Sequence, residues 1–168
     1  IDPTTVRAML LNLDNTPIGE IGRLQIWPIN QEQTQFKITG VLPKNMEINL
    51  QDPRCKLVVI ANTAPETIEN DKTLYNYTQL DPRNEDSSIP MWGVMTTDIS
   101  PLMNASHYEL TEDVWLLRSA AKIEVILSDK LKEQGTTITS ATLKYYNVEG
   151  NVVPTNWQTC NNTQELNC

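Results

Sequence analysis

The sequence is poor in the side chains on which metal sites and most nucleophilic enzymes depend. It contains one histidine and three cysteines among 168 residues. A three-histidine zinc site, a four-cysteine zinc ribbon and any mechanism that needs two imidazoles are therefore excluded. The six glycines form neither a phosphate-binding loop nor an EF-hand loop. We expect no resident metal ion and no cofactor.

Positive charge and long apolar runs are also scarce. Thirteen Lys and Arg residues against 21 Asp and Glu residues give a net charge of −8. Phosphate backbones and anionic lipid surfaces repel such a chain, so nucleic acid and membrane surfaces are poor partners. No stretch approaches the roughly 20 apolar residues that a membrane helix needs. The chain opens on Ile1 without an initiator Met or a leader, as expected of a mature or trimmed chain.

Length and composition are those of one folded domain. The chain is 39% hydrophobic and 20% charged, which is too apolar for disorder. Its length leaves room for a real core. We place the domain at residues 1–155. Residues 156–168 are polar, with Asn, Gln and Thr prevailing, and they predict a tail or a truncated linker to a second domain.

Strand patterns dominate the chain. Apolar and polar residues alternate with a period of two at residues 36–39, 46–50, 121–125 and 141–145. Residues 57–61 are instead continuously apolar, which predicts a central strand covered on both faces. Turn-forming residues separate the strands at intervals of about ten residues, a spacing that predicts an all-β sandwich.

Helix signals are few. Residues 63–66 resemble a capping box and predict a short helix from about residue 65 to residue 74. Residues 128–134, closed by Gly135, predict one or two helical turns between two strands.

Candidate catalytic groups carry little signal. His107 has no neighbouring carboxylate, so a solvated loop histidine is the ordinary interpretation. The visible acidic doublets are Glu85-Asp86 and Glu112-Asp113. A glycosidase would need two carboxylates roughly 5 to 10 Å apart across a cleft, whereas solvated charge is the ordinary use of such doublets. We therefore expect that the chain is not an enzyme.

Cysteines and tryptophans leave alternatives open. Cys55 begins the apolar strand and is expected to be a buried thiol, whereas Cys160 and Cys168 are close enough to close a small disulfide loop. The tryptophans either pack in the core, which is their commoner use, or stack on sugar rings. A carbohydrate-binding module is therefore the second candidate function. The tryptophans are Trp27, Trp92, Trp115 and Trp157.

Three short segments, residues 56–63, 89–93 and 117–125, are more distinctive than the rest of the chain. The first is a strand that ends in Ala-Asn, the second reads Ile-Pro-Met-x-Gly, and the third reads Leu-Arg-x-x-Ala-Lys-Ile. Together with a weaker match at residues 143–154, they resemble the N-terminal domain of the Bacteroidales-type fimbrillins, which are subunits and accessory proteins of surface fimbriae. The matched residues are Ala61, Asn62, Ile89, Pro90, Met91, Gly93, Arg118, Ala121 and Lys122.

The resemblance implies a transthyretin-like β-sandwich of about seven strands with one or two short helices, and structural rather than catalytic roles for the matched residues. Fimbrillins are exported to the outer membrane as lipoproteins, and an extended strand of one subunit fills a groove in the next. The expected function is a structural and adhesive subunit of cell-surface fimbriae. Its expected partners are other fimbrial subunits and ligands on host or bacterial surfaces. The motifs do not separate stalk, tip and anchor subunits.

Arg7 and Ala8 precede an apolar run and resemble the position at which an arginine-specific protease trims fimbrillins. Cleavage after Arg7 would release residues 1–7 and free a strand edge. An arginine that merely flanks the first strand is the alternative. Trp27-Pro28 replaces the aromatic residue that ends the family's first conserved strand. Because Pro28 cannot donate to a β-ladder, it predicts an edge or a bulge.

Overall fold

The computed structural model describes residues 6–44, 46, 51–62, 89–103, 109–119, 123–144 and 159–165. No helix in these ranges is long and apolar enough to cross a membrane. The elements are β1 (Val6–Leu11), β2 (Pro17–Glu20), β3 (Gly22–Pro28), β4 (Gln35–Val41), β5 (Arg54–Ala61), β6 (Met91–Asp98), α1 (Ser100–Met103), β7 (Glu109–Trp115), β8 (Leu117–Arg118), α2 (Asp129–Glu133) and a 3-10 turn (Thr163–Glu165).

The strands form two antiparallel sheets, which confirms the all-β sandwich. The larger sheet has the order β2-β1-β5-β6-β8 and the smaller has the order β3-β4-β7. Strand β5 pairs with β1 on one side and with β6 on the other, and seven of its eight residues are buried. The prediction of a central strand at residues 57–61 is therefore confirmed.

Two apolar clusters use opposite faces of β5. Leu57 and Val59 face the smaller sheet and pack in the main core with its inward residues, among them Phe36 and Ile38. The neighbouring residues of β5 belong to a second cluster, which includes Trp92. A strand with apolar partners on both sides has no polar face, so its sequence lacks alternation.

Several local predictions are confirmed. Residues 36–39 lie within β4, and Gly135 follows α2 with a φ of 73°, a conformation that costs glycine little. Pro28 ends β3, which is an edge strand of the smaller sheet. The sequence patterns do not predict helix α1. Its start is fixed by the Asp98 carboxylate, which accepts a hydrogen bond from the Ser100 amide at 2.9 Å.

The strand predictions for residues 121–125 and 141–145 are wrong for the residues of each segment that the structure describes. Residues 123–125 and 141–144 are in no strand and are exposed. Alternation specifies two faces, but a strand also needs a backbone partner, and no strand in the described ranges pairs with them. The predictions for residues 47–50, the helix from residue 65, Ala121, Lys122, Glu85, Asp86, His107, Trp157 and Cys168 fall outside the described residues.

Candidate functional site

The three segments that resemble fimbrillins lie side by side at one end of the larger sheet. Ala61 pairs with Met91, and Met91 pairs with Arg118. The Arg118 guanidinium also donates hydrogen bonds to the carbonyl oxygens of Glu32 and Gln33, at 3.2 and 3.1 Å. These carbonyls belong to the connection between β3 and β4, so Arg118 links the edge of the larger sheet to the smaller sheet.

Asn62 and Pro90 hold this end of the sheet through backbone carbonyls. Asn62 adopts a left-handed conformation with φ of 60°, as expected where an asparagine turns the chain, and its side-chain amide donates to the Ile89 carbonyl at 3.0 Å. The Pro90 carbonyl accepts hydrogen bonds from the amide and the hydroxyl of Ser119, at 3.0 and 2.6 Å. The matched residues within the described ranges thus make structural contacts.

Strand β6 has an open edge. Strand β8 pairs with Met91 and Trp92 alone, so from Gly93 to Asp98 no strand of the described ranges pairs with that side of β6. Strand β7, at the border of the smaller sheet, lies next to this edge, and the Thr97 hydroxyl donates a hydrogen bond to the Glu112 carboxylate across the gap. We call the line between the Gly93–Asp98 edge of β6 and strand β7 the seam.

Residues 159–165 lie against the seam. Thr163 is buried, and its hydroxyl oxygen lies 3.3 Å from the Val94 amide nitrogen, 3.1 Å from the Val94 carbonyl oxygen and 2.6 Å from the Trp115 carbonyl oxygen. The Thr96 hydroxyl donates to the Asn161 carbonyl at 3.2 Å. A side-chain hydroxyl therefore occupies a position where a neighbouring strand would supply backbone partners.

Gly93 allows the segment Trp115–Leu116 to pass close to strand β6. A β-carbon on Gly93 would lie 2.3 Å from the Trp115 carbonyl oxygen and 2.6 Å from a methyl carbon of Leu116. Both distances are shorter than any relaxed contact. The glycine of the Ile-Pro-Met-x-Gly segment is thus required by packing.

The Arg7–Ala8 bond lies inside a paired strand. Both residues pair with β5, and the Ala8 carbonyl accepts a hydrogen bond from the Ile21 amide at 2.9 Å. The Arg7 guanidinium binds the Glu20 carboxylate through two hydrogen bonds of 2.6 and 2.7 Å. Cleavage after Arg7 requires β1 to leave the sheet first. Among the described residues, loss of residues 6 and 7 would uncover only the last two residues of β5.

The acidic doublet of β7 does not form a facing pair of carboxylates. Glu112 points toward Thr97 in the seam, whereas the Asp113 carboxylate binds the Lys37 ammonium at 2.7 Å on the outward face of the sheet. Successive residues of a strand point to opposite faces, so adjacent acids in a strand are separated.

The cysteines show one confirmed and one open prediction. Cys55 is buried, and burial raises the pKa of its thiol to about 11. Cys160 packs against the cluster that contains Trp92. Its pairing with Cys168 stays a prediction.

Residues 123–144 expose a set of apolar side chains. Helix α2 buries none of its residues. The exposed fractions of six large apolar residues lie between 40% and 75%. Those residues are Ile123, Val125, Ile126, Leu131, Ile138 and Leu143. Exposed apolar surface of this extent favours a binding segment.

The tryptophans divide between two uses. Trp92 is buried in the second cluster, which confirms core packing for that residue. Trp27 is 40% exposed, and Trp115 is partly exposed. Trp27 and Trp115 lie on the outward face of the smaller sheet, as the register of β3, β4 and β7 shows.

Comparison of this chain with protein-family models, with curated proteins and with solved structures finds no match.

Proposed function

We propose that this chain is a structural subunit that assembles by β-strand addition, and that the Gly93–Asp98 edge of β6 accepts the added strand. One observation carries the proposal: among the described residues this edge is contacted by the side chain of Thr163 and not by a strand. The resemblance to fimbrillins supplies the setting, a fimbria on the cell surface with other fimbrial subunits as partners.

The edge has the geometry of a strand acceptor. Val94 directs its amide and carbonyl into the seam, and the period of two in a strand directs those of Thr96 the same way. Six residues of open edge span about 20 Å, which is the length of an ordinary strand. An unpaired edge of this length is a template for another chain.

The exposed segment at residues 123–128 is the donor that we propose. Its sequence, Ile-Glu-Val-Ile-Leu-Ser, places three apolar residues (Ile123, Val125 and Leu127) on one face and a mixed set (Glu124, Ile126 and Ser128) on the other. Added to β6 of a second subunit, one face would cover apolar surface while the other remained in water. Main-chain hydrogen bonds would supply affinity, and the alternate apolar side chains would supply register.

This arrangement does not depend on cleavage at Arg7. No strand of the described ranges pairs with the Gly93–Asp98 edge of β6, while β1 remains paired on both sides. Cleavage after Arg7, with release of residues 1–7, therefore stays a separate prediction.

Capture of a labelled peptide tests the proposal. A fluorescent peptide of residues 123–128 should bind the intact chain saturably, as measured by fluorescence anisotropy. In a bound strand alternate amides face β6, so N-methylation at one of two neighbouring positions, Val125 or Ile126, should abolish binding while the other is tolerated.

A variant of the acceptor provides the matched control. Thr96→Pro removes an amide that faces the seam and leaves the β5 ladder intact, so it should weaken capture without a large loss of strand signal in circular dichroism. If both methylated peptides and a scrambled peptide bind as well as the parent, the peptide is held by apolar contact alone and strand addition at β6 is wrong.

A further inference from the structure

We infer that the outward face of the smaller sheet binds a neutral oligosaccharide, with Trp27 and Trp115 as stacking platforms. We call this surface the tryptophan face. It consists of Trp27, Ile29, Gln35, Lys37, Asp113 and Trp115. Trp115 and Asp113 belong to β7, which also borders the seam, but their side chains lie on the outward face of the sheet, so ligand binding there would be added to strand addition.

Strand register brings the two tryptophans onto one surface. Trp27 pairs with Lys37, which pairs with Asp113, and these residues form one outward row. Trp115 pairs with Gln35, whose carbonyl accepts a hydrogen bond from the Ile29 amide at 2.9 Å, and these residues form the next row. The intervening residues of β4, Phe36 and Ile38, are buried in the main core.

The two indoles lie at opposite corners of a polar strip. They are separated by two interstrand spacings of about 4.8 Å and by one step along the strands of about 6.6 Å, so their α-carbons are about 12 Å apart. Lys37 and Gln35 lie between them on the central strand. An extended ligand could therefore stack at each end and form hydrogen bonds in the middle.

Neither indole serves the folded core. Trp27 and Ile29 are each 40% exposed, and neither Trp27 nor Trp115 belongs to an apolar cluster of the described residues. Exposed aromatic and aliphatic side chains grouped on a regular sheet mark a binding surface more often than an isolated exposed residue does.

The charges on the tryptophan face cancel. Lys37 and Asp113 form an ion pair with a nitrogen–oxygen distance of 2.7 Å, while the whole chain carries a net charge of −8. The face therefore offers no site for phosphate or another strong anion. It does offer an amide, an ammonium and a carboxylate as hydrogen-bonding groups. A pyranose ring, with an apolar C–H face and a rim of hydroxyls, matches indoles and polar groups together.

A protein partner fits the surface less well. The outward positions of the three strands span about 10 Å by 20 Å between α-carbons, whereas a stable protein interface buries roughly 800 Å² on each side. The centre of such an interface would also bury the Lys37–Asp113 ion pair, and the loss of hydration of that pair would oppose binding. Sugar hydroxyls can replace the water molecules around that pair.

Glycan binding to the intact chain tests the inference. On an array of neutral and acidic oligosaccharides, we expect binding to neutral members. Isothermal titration with the strongest neutral ligand should then show that Trp27→Ala and Trp115→Ala each bind at least about tenfold more weakly than the unchanged chain. Truncation of a central aromatic side chain removes much of the binding energy. Trp27→Phe should retain part of the affinity. Ile138→Ala, an exposed apolar change outside both the tryptophan face and the proposed donor, should have no effect.

Either of two results would overturn the inference. One is that no neutral glycan on the array binds the chain, whether or not acidic glycans or a protein bind it. The other is a neutral ligand whose affinity is unchanged in Trp27→Ala, with circular dichroism confirming that this variant is folded. Capture of the peptide of residues 123–128 should be unchanged in Trp27→Ala, so failure here is distinguishable from failure of strand addition.

Discussion

Replacement of Thr163 by valine separates the two tasks that we assign to the seam. Valine keeps the shape of threonine but has no hydroxyl, so the Val94 amide loses its acceptor, and the carbonyls of Val94 and Trp115 lose the single hydroxyl proton that they share. Thr163→Ser is the matched control because it keeps the hydroxyl.

The expected loss follows from the burial of these groups. Thr163 is 1% exposed, so water cannot fully replace its hydroxyl. A buried polar group left without a partner costs about 1–3 kcal/mol. With a urea dependence of about 2 kcal/mol per molar, the unfolding midpoint should fall by roughly 0.5–1.5 M. Thr163→Ser should lose less than half of that.

Peptide capture gives the second measurement on the same variants. If residues 159–165 must leave β6 before a strand can bind, a weaker contact at Thr163 should strengthen binding of the peptide of residues 123–128. The gain in binding free energy should not exceed the free energy lost from the seam. A loss of about 1.4 kcal/mol would therefore permit at most a tenfold gain in peptide affinity.

Two outcomes would refute this reasoning. An unchanged urea midpoint in Thr163→Val would mean that the hydroxyl does not satisfy the edge of β6. A lower midpoint with unchanged peptide affinity would mean that residues 159–165 stabilise the sandwich but do not compete with an added strand.

Three other features of the structure give four further predictions. Gly93→Ala should lower the unfolding free energy by about 1–3 kcal/mol, because the new β-carbon would lie 2.3 Å from a backbone carbonyl oxygen; Gly22→Ala, whose nearest neighbour would be at 3.8 Å, is the control in urea unfolding. An arginine-specific protease should leave the Arg7–Ala8 bond of the folded chain intact, and a new terminus at Ala8 under native conditions would contradict the pairing of β1. Cys55 should react slowly with thiol reagents at pH 8, since a pKa of about 11 leaves roughly 200-fold less thiolate than an ordinary thiol has. The free energy of unfolding should also fall as the pH rises from about 8.5 toward 11, because the unfolded thiol ionises first, and Cys55→Ala should lack this slope.

The features that could be predicted from the sequence depend on local chemistry. The central strand β5 has a continuous apolar run, Pro28 cannot donate to a ladder, and Asn62 tolerates a left-handed turn. Each of these properties belongs to the residue or its immediate neighbours, so no knowledge of distant segments is required. The all-β sandwich follows from many such signals taken together.

The seam and the tryptophan face depend on pairing between distant segments. Thr163 is an ordinary residue of a polar segment, and nothing in that segment indicates a contact with Val94. Trp27 and Trp115 share a surface only because β4 pairs with both of their strands in one register. The error at residues 123–125 has the same origin, since alternation does not specify a partner strand.

The end of β3 affects how copies of this chain can be joined. Pro28 removes an amide from that border of the smaller sheet, and the pairing of β3 with β4 shifts between Gly22 and Gln25. That border is therefore a poor template, whereas β6 is a good one. Under the proposed strand addition, with the β6 edge as acceptor and residues 123–128 as donor, contacts between copies would be head-to-tail. Such contacts would not be isologous, and the rotation between successive copies would decide whether they close into a ring or extend into an open filament.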